Sequence, residues 1–151
     1  MINYMSLKFK SVSENEFLAR VVIGAFIEPL KPSLMDVADV KTSISEAVTN
    51  AIIHGYDGMP DGSVEMSAVI ENNVLTVKVV DQGKGISDIQ KAREPMFTTK
   101  PELERSGMGF TIMESFMDGV DIISSPGSGT TIVMKKSIHN GSGSNDEAGN
   151  D

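Results

Sequence analysis

With 151 residues, 40% of them apolar, the chain suffices for one domain with a sizeable core. It holds no cysteine, which excludes disulfides, thiolate zinc sites and cysteine nucleophiles, and its formal charge of −8 opposes general nucleic-acid binding, which relies on basic surface. No apolar run approaches the ~20 residues that span a bilayer, and Met1 to Lys10 lacks the apolar centre of a signal peptide, so a cytoplasmic protein with no membrane partner and no direct nucleic-acid partner is expected.

Met5 to Lys10 alternates at Met5, Leu7 and Phe9 and reads as a strand. Ser13 to Glu16 has the form of a capping box, a hydroxyl followed three residues later by a carboxylate. The helix it opens is expected to bury Phe17, Val21, Gly24 and Ala25 and to end near Pro29 to Pro32. Ser33 with Asp36 is a second N-cap and starts a helix predicted over Leu34 to His54. Val37, Val40, Ile44, Ala47, Val48 and Ala51 form its stripe at ~100° per residue. Gly55 to Gly62 is a turn region. Val64, Met66, Ala68 and Ile70 alternate, Asn72-Asn73 turns the chain, and Val74 to Val80 follows as the paired strand with Leu75, Val77 and Val79 on one face.

From Asp81 to Arg105 there is little periodicity apart from a short helix near Ser87 to Ala92. Gly109 to Met117 is predicted helical, burying Ile112, Met113 and Phe116, and strands over Val120 to Ser124 and Thr130 to Lys136 are joined by Pro126-Gly127-Ser128-Gly129. The expected class is α+β, a two-layer α/β sandwich whose mixed, mostly antiparallel sheet carries its helices on one face. The domain is expected over 1–138 and a disordered acidic Gly/Ser/Asn tail over 139–151. Without the tail's Asp146, Glu147 and Asp151 the domain still carries −5. An anionic ligand must then be held by local groups and a cation.

Three segments carry chemistry. With Ile44 at zero on its helix, Glu46 and Asn50 fall at about 200° and 240°, away from the core stripe and one turn apart. The amide oxygen is a hard donor suited to Mg²⁺, and the carboxylate can take a proton from an attacking hydroxyl or water; a solvated polar face is the plain alternative. Asp81 ends a strand and is followed by Gln82-Gly83-Lys84-Gly85. It is either a turn former or an acceptor for an exocyclic amine such as adenine's, with Gly83 and Gly85 admitting a flat base. Ser106-Gly107-Met108-Gly109 precedes a helix, where free amides and the helix dipole favour phosphate, a hinge being the other reading. Between the glycine segments, Arg93 to Arg105 has the length of a lid, and its Thr98, Thr99, Lys100 and Arg105 could reach phosphates. No Walker motif and no protein-kinase signature is present.

Taken together, the segments resemble the N, G1 and G2 boxes of the GHKL ATPases, and Gly129-Thr130 resembles the late Gly-Thr element of the same site. The run Ser45 to Tyr56 and the run Arg105 to Phe110 are most similar to the small bacterial anti-sigma-factor serine kinases of sporulation, over about Met1 to Lys136. That resemblance implies a Bergerat ATP-binding fold, ATP or ADP with Mg²⁺ as ligands, and a homodimer. It further implies that the protein binds and inhibits a sporulation sigma factor (sigma-F) and phosphorylates a serine of an anti-anti-sigma protein. By motif match Glu46 would be the general base, Asn50 the Mg²⁺ ligand and Asp81 the adenine reader beside Gly83 and Gly85; Ser106, Gly107, Met108 and Gly109 would hold phosphates, with Thr98, Thr99, Lys100, Arg105 and Thr130 assisting. Two other readings are an ATP-gated binding module that moves no phosphate and a detached histidine kinase catalytic domain. His54 is expected to be structural. Glu16 and Arg20, an i, i+4 pair on the first helix, are a candidate partner surface or an ordinary surface pair.

Overall fold

The computed structural model describes residues 2–94 and 109–141. Five strands, β1 (Ile2–Lys10), β2 (Ser63–Glu71), β3 (Val74–Asp81), β4 (Gly119–Ser124) and β5 (Thr130–Ser137), form one sheet in the order β1-β2-β3-β5-β4. Every pairing in it is antiparallel, so the sheet is not mixed as expected. Local hairpins account for two of the four pairings. Asn72 and Asn73 both take positive φ, which gives the tight β2–β3 turn its twist. Gly127 and Gly129, also at positive φ, turn β4 into β5.

The period-2 pattern decides which face is covered. Val64, Met66, Ala68 and Ile70 of β2, Leu75, Val77 and Val79 of β3, and Ile132 and Met134 of β5 are buried. Against them lie α1 (Glu14–Ile27), α2 (Leu34–Asn50) and α4 (Gly109–Phe116), with α2 between the other two. A short α3 (Ile89–Ala92) starts at Asp88, whose carboxylate accepts the Lys91 amide at 3.1 Å.

Helix α2 fulfils its pattern. Val40, Ile44, Ala47, Val48 and Ala51 are buried and Val37 is half-buried. Ser33 Oγ accepts the Asp36 amide at 3.1 Å, as an N-cap should. Removing the fully covered Ile44 side chain to alanine would cost about 2–5 kcal/mol.

Helix α1 departs from expectation in both start and phase. Ser13 is itself helical and its side chain makes no cap bond, so no capping box forms; Asn15 Nδ2 instead donates to the Lys10 carbonyl at 3.0 Å. The buried residues are Ala19, Ile23 and Ile27, whereas Phe17, Val21 and Ala25 face outward. Apolar residues surround this helix on all sides, so periodicity alone does not set its rotation. Gly24 is half-buried and lets the Lys41 stem of α2 cross close by; a Cβ there would meet Lys41 Cε at 2.5 Å. In α4, Phe110 and Met113 are buried, as is Met117 just beyond it, while Ile112 and Phe116 are half-buried.

The first residues of the expected tail make contacts with the residues that open α2. The His139 amide donates to Asp36 Oδ2 at 2.7 Å, Ser33 N–H donates to the His139 carbonyl at 3.0 Å, and Asn140 bridges to Pro32. Lys136 Nζ donates to the Phe116 carbonyl at 2.8 Å and lies 3.9 Å from Asp36 and 3.8 Å from Asp39, which compensates a nearly buried cation. The remainder of that tail, 142–151, is outside the described residues.

Candidate functional site

The face of α2 turned from the core presents Glu46, Thr49 and Asn50. After Asn50 the helix widens into one π turn, Ala51–Gly55, in which the Tyr56 amide reaches back to the Ala51 carbonyl at 3.1 Å. Single π turns recur at functional sites because they re-aim the residues after them. Here His54, half-buried, lines the same cavity as Glu46 and Asn50 rather than serving only the core.

The cavity has a volume of about 510 Å³, within the range of small-ligand sites. Glu46, Thr49, Asn50 and His54 bound it on one side, and the segment Lys84 to Asp88 with Lys91, Ala92 and Glu94 on another. The first residues of α4, Gly109, Phe110 and Thr111, and Pro126 of the last hairpin complete it.

Asp81 closes β3 and is only 3% exposed. Its Oδ1 accepts the Gly83 amide at 2.9 Å. Burial pushes the carboxyl above its ordinary value, partly opposed by the amides of Gly83 and Thr130. Thr130 pairs with it across β3–β5, and Thr130 Oγ1 lies 2.8 Å from Ser124 Oγ.

The glycines of the loop have a reason that sequence reasoning did not supply. A Cβ on Gly83 would lie 2.0 Å from the Gly55 carbonyl oxygen, and one on Gly85, at φ +79°, 2.0 Å from that of Ser125. Both glycines thus lie against the chain's own backbone. Lys84 is held at both main-chain ends, its amide on Gly55 O at 2.9 Å and its carbonyl by the Gly127 amide at 2.7 Å. Its ammonium lies 2.8 Å from Asp57 Oδ1.

Of the expected site residues, Glu46, Asn50, Gly85 and Gly109 meet in the cavity. Asp81, Gly83 and Thr130 are clustered with one another beside it but do not line it. Thr98, Thr99, Lys100, Arg105, Ser106, Gly107 and Met108 lie outside the described residues. Thr49, Lys84 and Lys91 were missed; Thr49 follows Glu46 by three residues and so shares its face, and Lys84 stands inside the Asp-x-Gly-x-Gly segment as an apparent filler. Glu16 and Arg20 are remote in sequence from these segments, on α1, where Arg20 Nε lies 3.2 Å from Glu16 Oε1 and its guanidinium 5.5 Å from the Phe17 ring centre.

A helical layer over an antiparallel sheet, with a cavity between the Glu46–Asn50 helix face and a glycine loop, defines a histidine kinase-like ATPase domain; the family so described matches residues 14–136. The chain is 55% identical over 138 residues to the anti-sigma F factor of Halalkalibacterium halodurans, covering 91% of this chain and 94% of that one. It is 53% identical over 140 residues to that of Bacillus cytotoxicus, covering 93% and 96%. Within the ATPase family, the chain belongs to the anti-sigma F factors.

Solved structures agree on the fold at 17% identity. The catalytic domain of the histidine kinase ThkA superposes with a TM-score of 0.54, over 90% of this chain and 96% of that one. The RsbU and RsbW domains of a Mycobacterium tuberculosis protein give 0.66, over 90% of this chain and 32% of that one. No described helix is long and apolar enough to cross a membrane.

Proposed function

We propose that the protein is an ATP-dependent anti-sigma factor of the cytoplasm that binds and inhibits a sporulation sigma factor, sigma-F, and phosphorylates a serine of an anti-anti-sigma protein. The name of its relatives supports the first half. The observation that carries the second is that Glu46 and Asn50, one turn apart on α2, line the same cavity. A module that only bound nucleotide would have no need of a carboxylate beside the amide.

The donor set fits a magnesium nucleotide. Among the described residues no group of three or more His, Asp or Glu side chains could hold a metal alone. Asn50 offers one hard oxygen, and the other ligands of Mg²⁺ would be phosphate oxygens and water, its usual company. Bound there, the cation supplies neutralising charge to the triphosphate.

The chain's own residues do the rest. Glu46 orients the incoming serine hydroxyl and takes its proton as the oxygen–phosphorus bond forms and ADP departs. Lys84 and Lys91 line the cavity, as do Gly109, Phe110 and Thr111 at the start of α4. Thr98, Thr99, Lys100, Arg105, Ser106, Gly107, Met108 and Thr130 are assigned to the phosphates, and Asp81 with Gly83 and Gly85 to the adenine end. Positioning and electrostatics supply most of the acceleration in this chemistry.

Two surfaces suit protein partners. The outward face of α1 sets Phe17, Leu18 and Val21 beside the Glu16–Arg20 pair, and β1, an end strand of the sheet among the described residues, suits a homodimer. The test is incubation with labelled ATP, Mg²⁺ and the serine protein. Label should pass to the serine, and Glu46→Ala should slow transfer ~10²–10⁴-fold while nucleotide binding survives. Transfer at the unaltered rate in Glu46→Ala would refute the assigned base; ATP binding without any transfer would leave an ATP-gated binding module.

A further inference from the structure

Tyr56 follows the π turn and touches none of the cavity, yet it is tied to the loop that walls it. Its hydroxyl donates to the Ser63 carbonyl at 2.6 Å and accepts the Gln82 amide at 2.7 Å. The roles are unambiguous, because a carbonyl can only accept and an amide N–H can only donate. The sheet register makes this pairing informative. Val64 stands opposite Asp81 at the end of the β2–β3 ladder, so Ser63 and Gln82 are the residues that one further rung would join. The phenol oxygen stands between them in place of that rung.

The consequence falls on the site. The ladder is parted by one hydroxyl where the Asp81–Gly85 loop leaves the sheet. The two neighbours of Tyr56 hold the next stretch of the same loop, Gly55 O accepting the Lys84 amide at 2.9 Å and Asp57 the Lys84 ammonium at 2.8 Å. Gly83 lies against Gly55 so closely that a methyl group would not fit. Three consecutive residues, 55 to 57, thus form a bed for residues 82 to 84, and Lys84 and Gly85 are cavity wall.

We propose that Tyr56 is a positioning residue for nucleotide recognition: its hydroxyl, wedged between Ser63 and Gln82, sets the departure of the Asp81–Gly85 loop and through it the selectivity for adenine. The proposal rests on the reading of Asp81 as the group that meets the base. The phenol ring also covers Gly62, where a Cβ would lie 2.5 Å from it, and Phe at position 56 keeps that cover. Gln82 N–H is exposed enough to find water, so the hydroxyl's removal frees the loop without stranding a buried donor.

Tyr56→Phe is expected to raise the Kd for ADP roughly 3- to 10-fold, the scale of one net hydrogen bond. The preference for ADP over IDP, which carries a carbonyl where adenine has its amine, should shrink. The KM for ATP should rise while kcat at saturating ATP stays within about twofold, since Glu46 and Asn50 sit on α2 and keep their place. A lower melting temperature with unchanged ADP affinity and unchanged ADP/IDP preference would reduce Tyr56 to a structural role and overturn the proposal. So would an unprotected Gln82 amide in hydrogen exchange of the unaltered protein, a measurement independent of the variant's folding. Asp81→Asn separates the two readings: if it leaves the ADP/IDP preference intact, the adenine assignment itself fails; if it abolishes the preference and Tyr56→Phe does not reduce it, only the role of Tyr56 fails.

Discussion

Asp81 carries a cost to stability that can be read at the residue scale. Its carboxyl is almost wholly covered, and burial raises its pKa above the ordinary 3.8 despite the amides of Gly83 and Thr130 that favour the charged form. The sign of the pH dependence follows. Between 3.8 and the raised value the folded chain retains a proton that the unfolded chain has released, so stability falls as pH rises through that window. Above it the folded protein carries the whole cost of a buried charge. Asp81→Asn should therefore raise the melting temperature of the nucleotide-free protein at pH 7, and the advantage should vanish below the ordinary carboxyl value, where the wild-type carboxyl is protonated in both states. A melting temperature at pH 7 equal to or below wild type would sink this account.

At the scale of elements, two serines that look alike in sequence make opposite predictions. Ser33 Oγ accepts the Asp36 amide and starts α2, which carries Glu46 and Asn50; Ser13 makes no such bond. Ser33→Ala should cost about 1 kcal/mol, or ~2–4 °C in Tm for a chain of this size. Ser13→Ala should stay within about 0.5 kcal/mol, and thermal melts of the two variants compare them directly. The same contrast shows what a sequence reader can see. β2 and β3 alternate apart from Val69, Val74 and Val80, and α2 has one apolar stripe, so their faces could be read, and with them the outward aim of Glu46 and Asn50. Helix α1 is apolar all round, so its phase was settled only by packing of Ala19, Ile23 and Ile27 on the sheet and α2. The π turn that brings His54 to the cavity has no signature in Ala51 to Gly55, and the place of Lys84 depends on its bonds to Gly55, Asp57 and Gly127, which are tertiary.

On the scale of the whole molecule, the side of the sheet turned away from the described helices bears on assembly. Met5, Leu7 and Phe9 of β1 turn toward the helices, which sends Ile2 and Tyr4 to the other face, 69% and 79% exposed. Tyr4 stands directly opposite Val69 of β2, itself 41% exposed, so the three side chains make an apolar patch at the rim of the sheet. β1 is also an end strand of the sheet, nine residues long and paired on one side, to β2. Such an edge invites a further strand unless charge or proline blunts it. A second copy related by a two-fold axis would meet the same strand and the same patch, the self-complementary geometry of most small dimers. Tyr4→Lys places a charge in that patch and should convert a dimer in sedimentation velocity to a monomer, with ADP affinity kept within about twofold because the cavity lies between helices and loops elsewhere in the fold. A variant that stays dimeric would move the interface away from β1, and a wild-type protein that sediments as a monomer at micromolar concentration would remove the homodimer from the proposed function altogether.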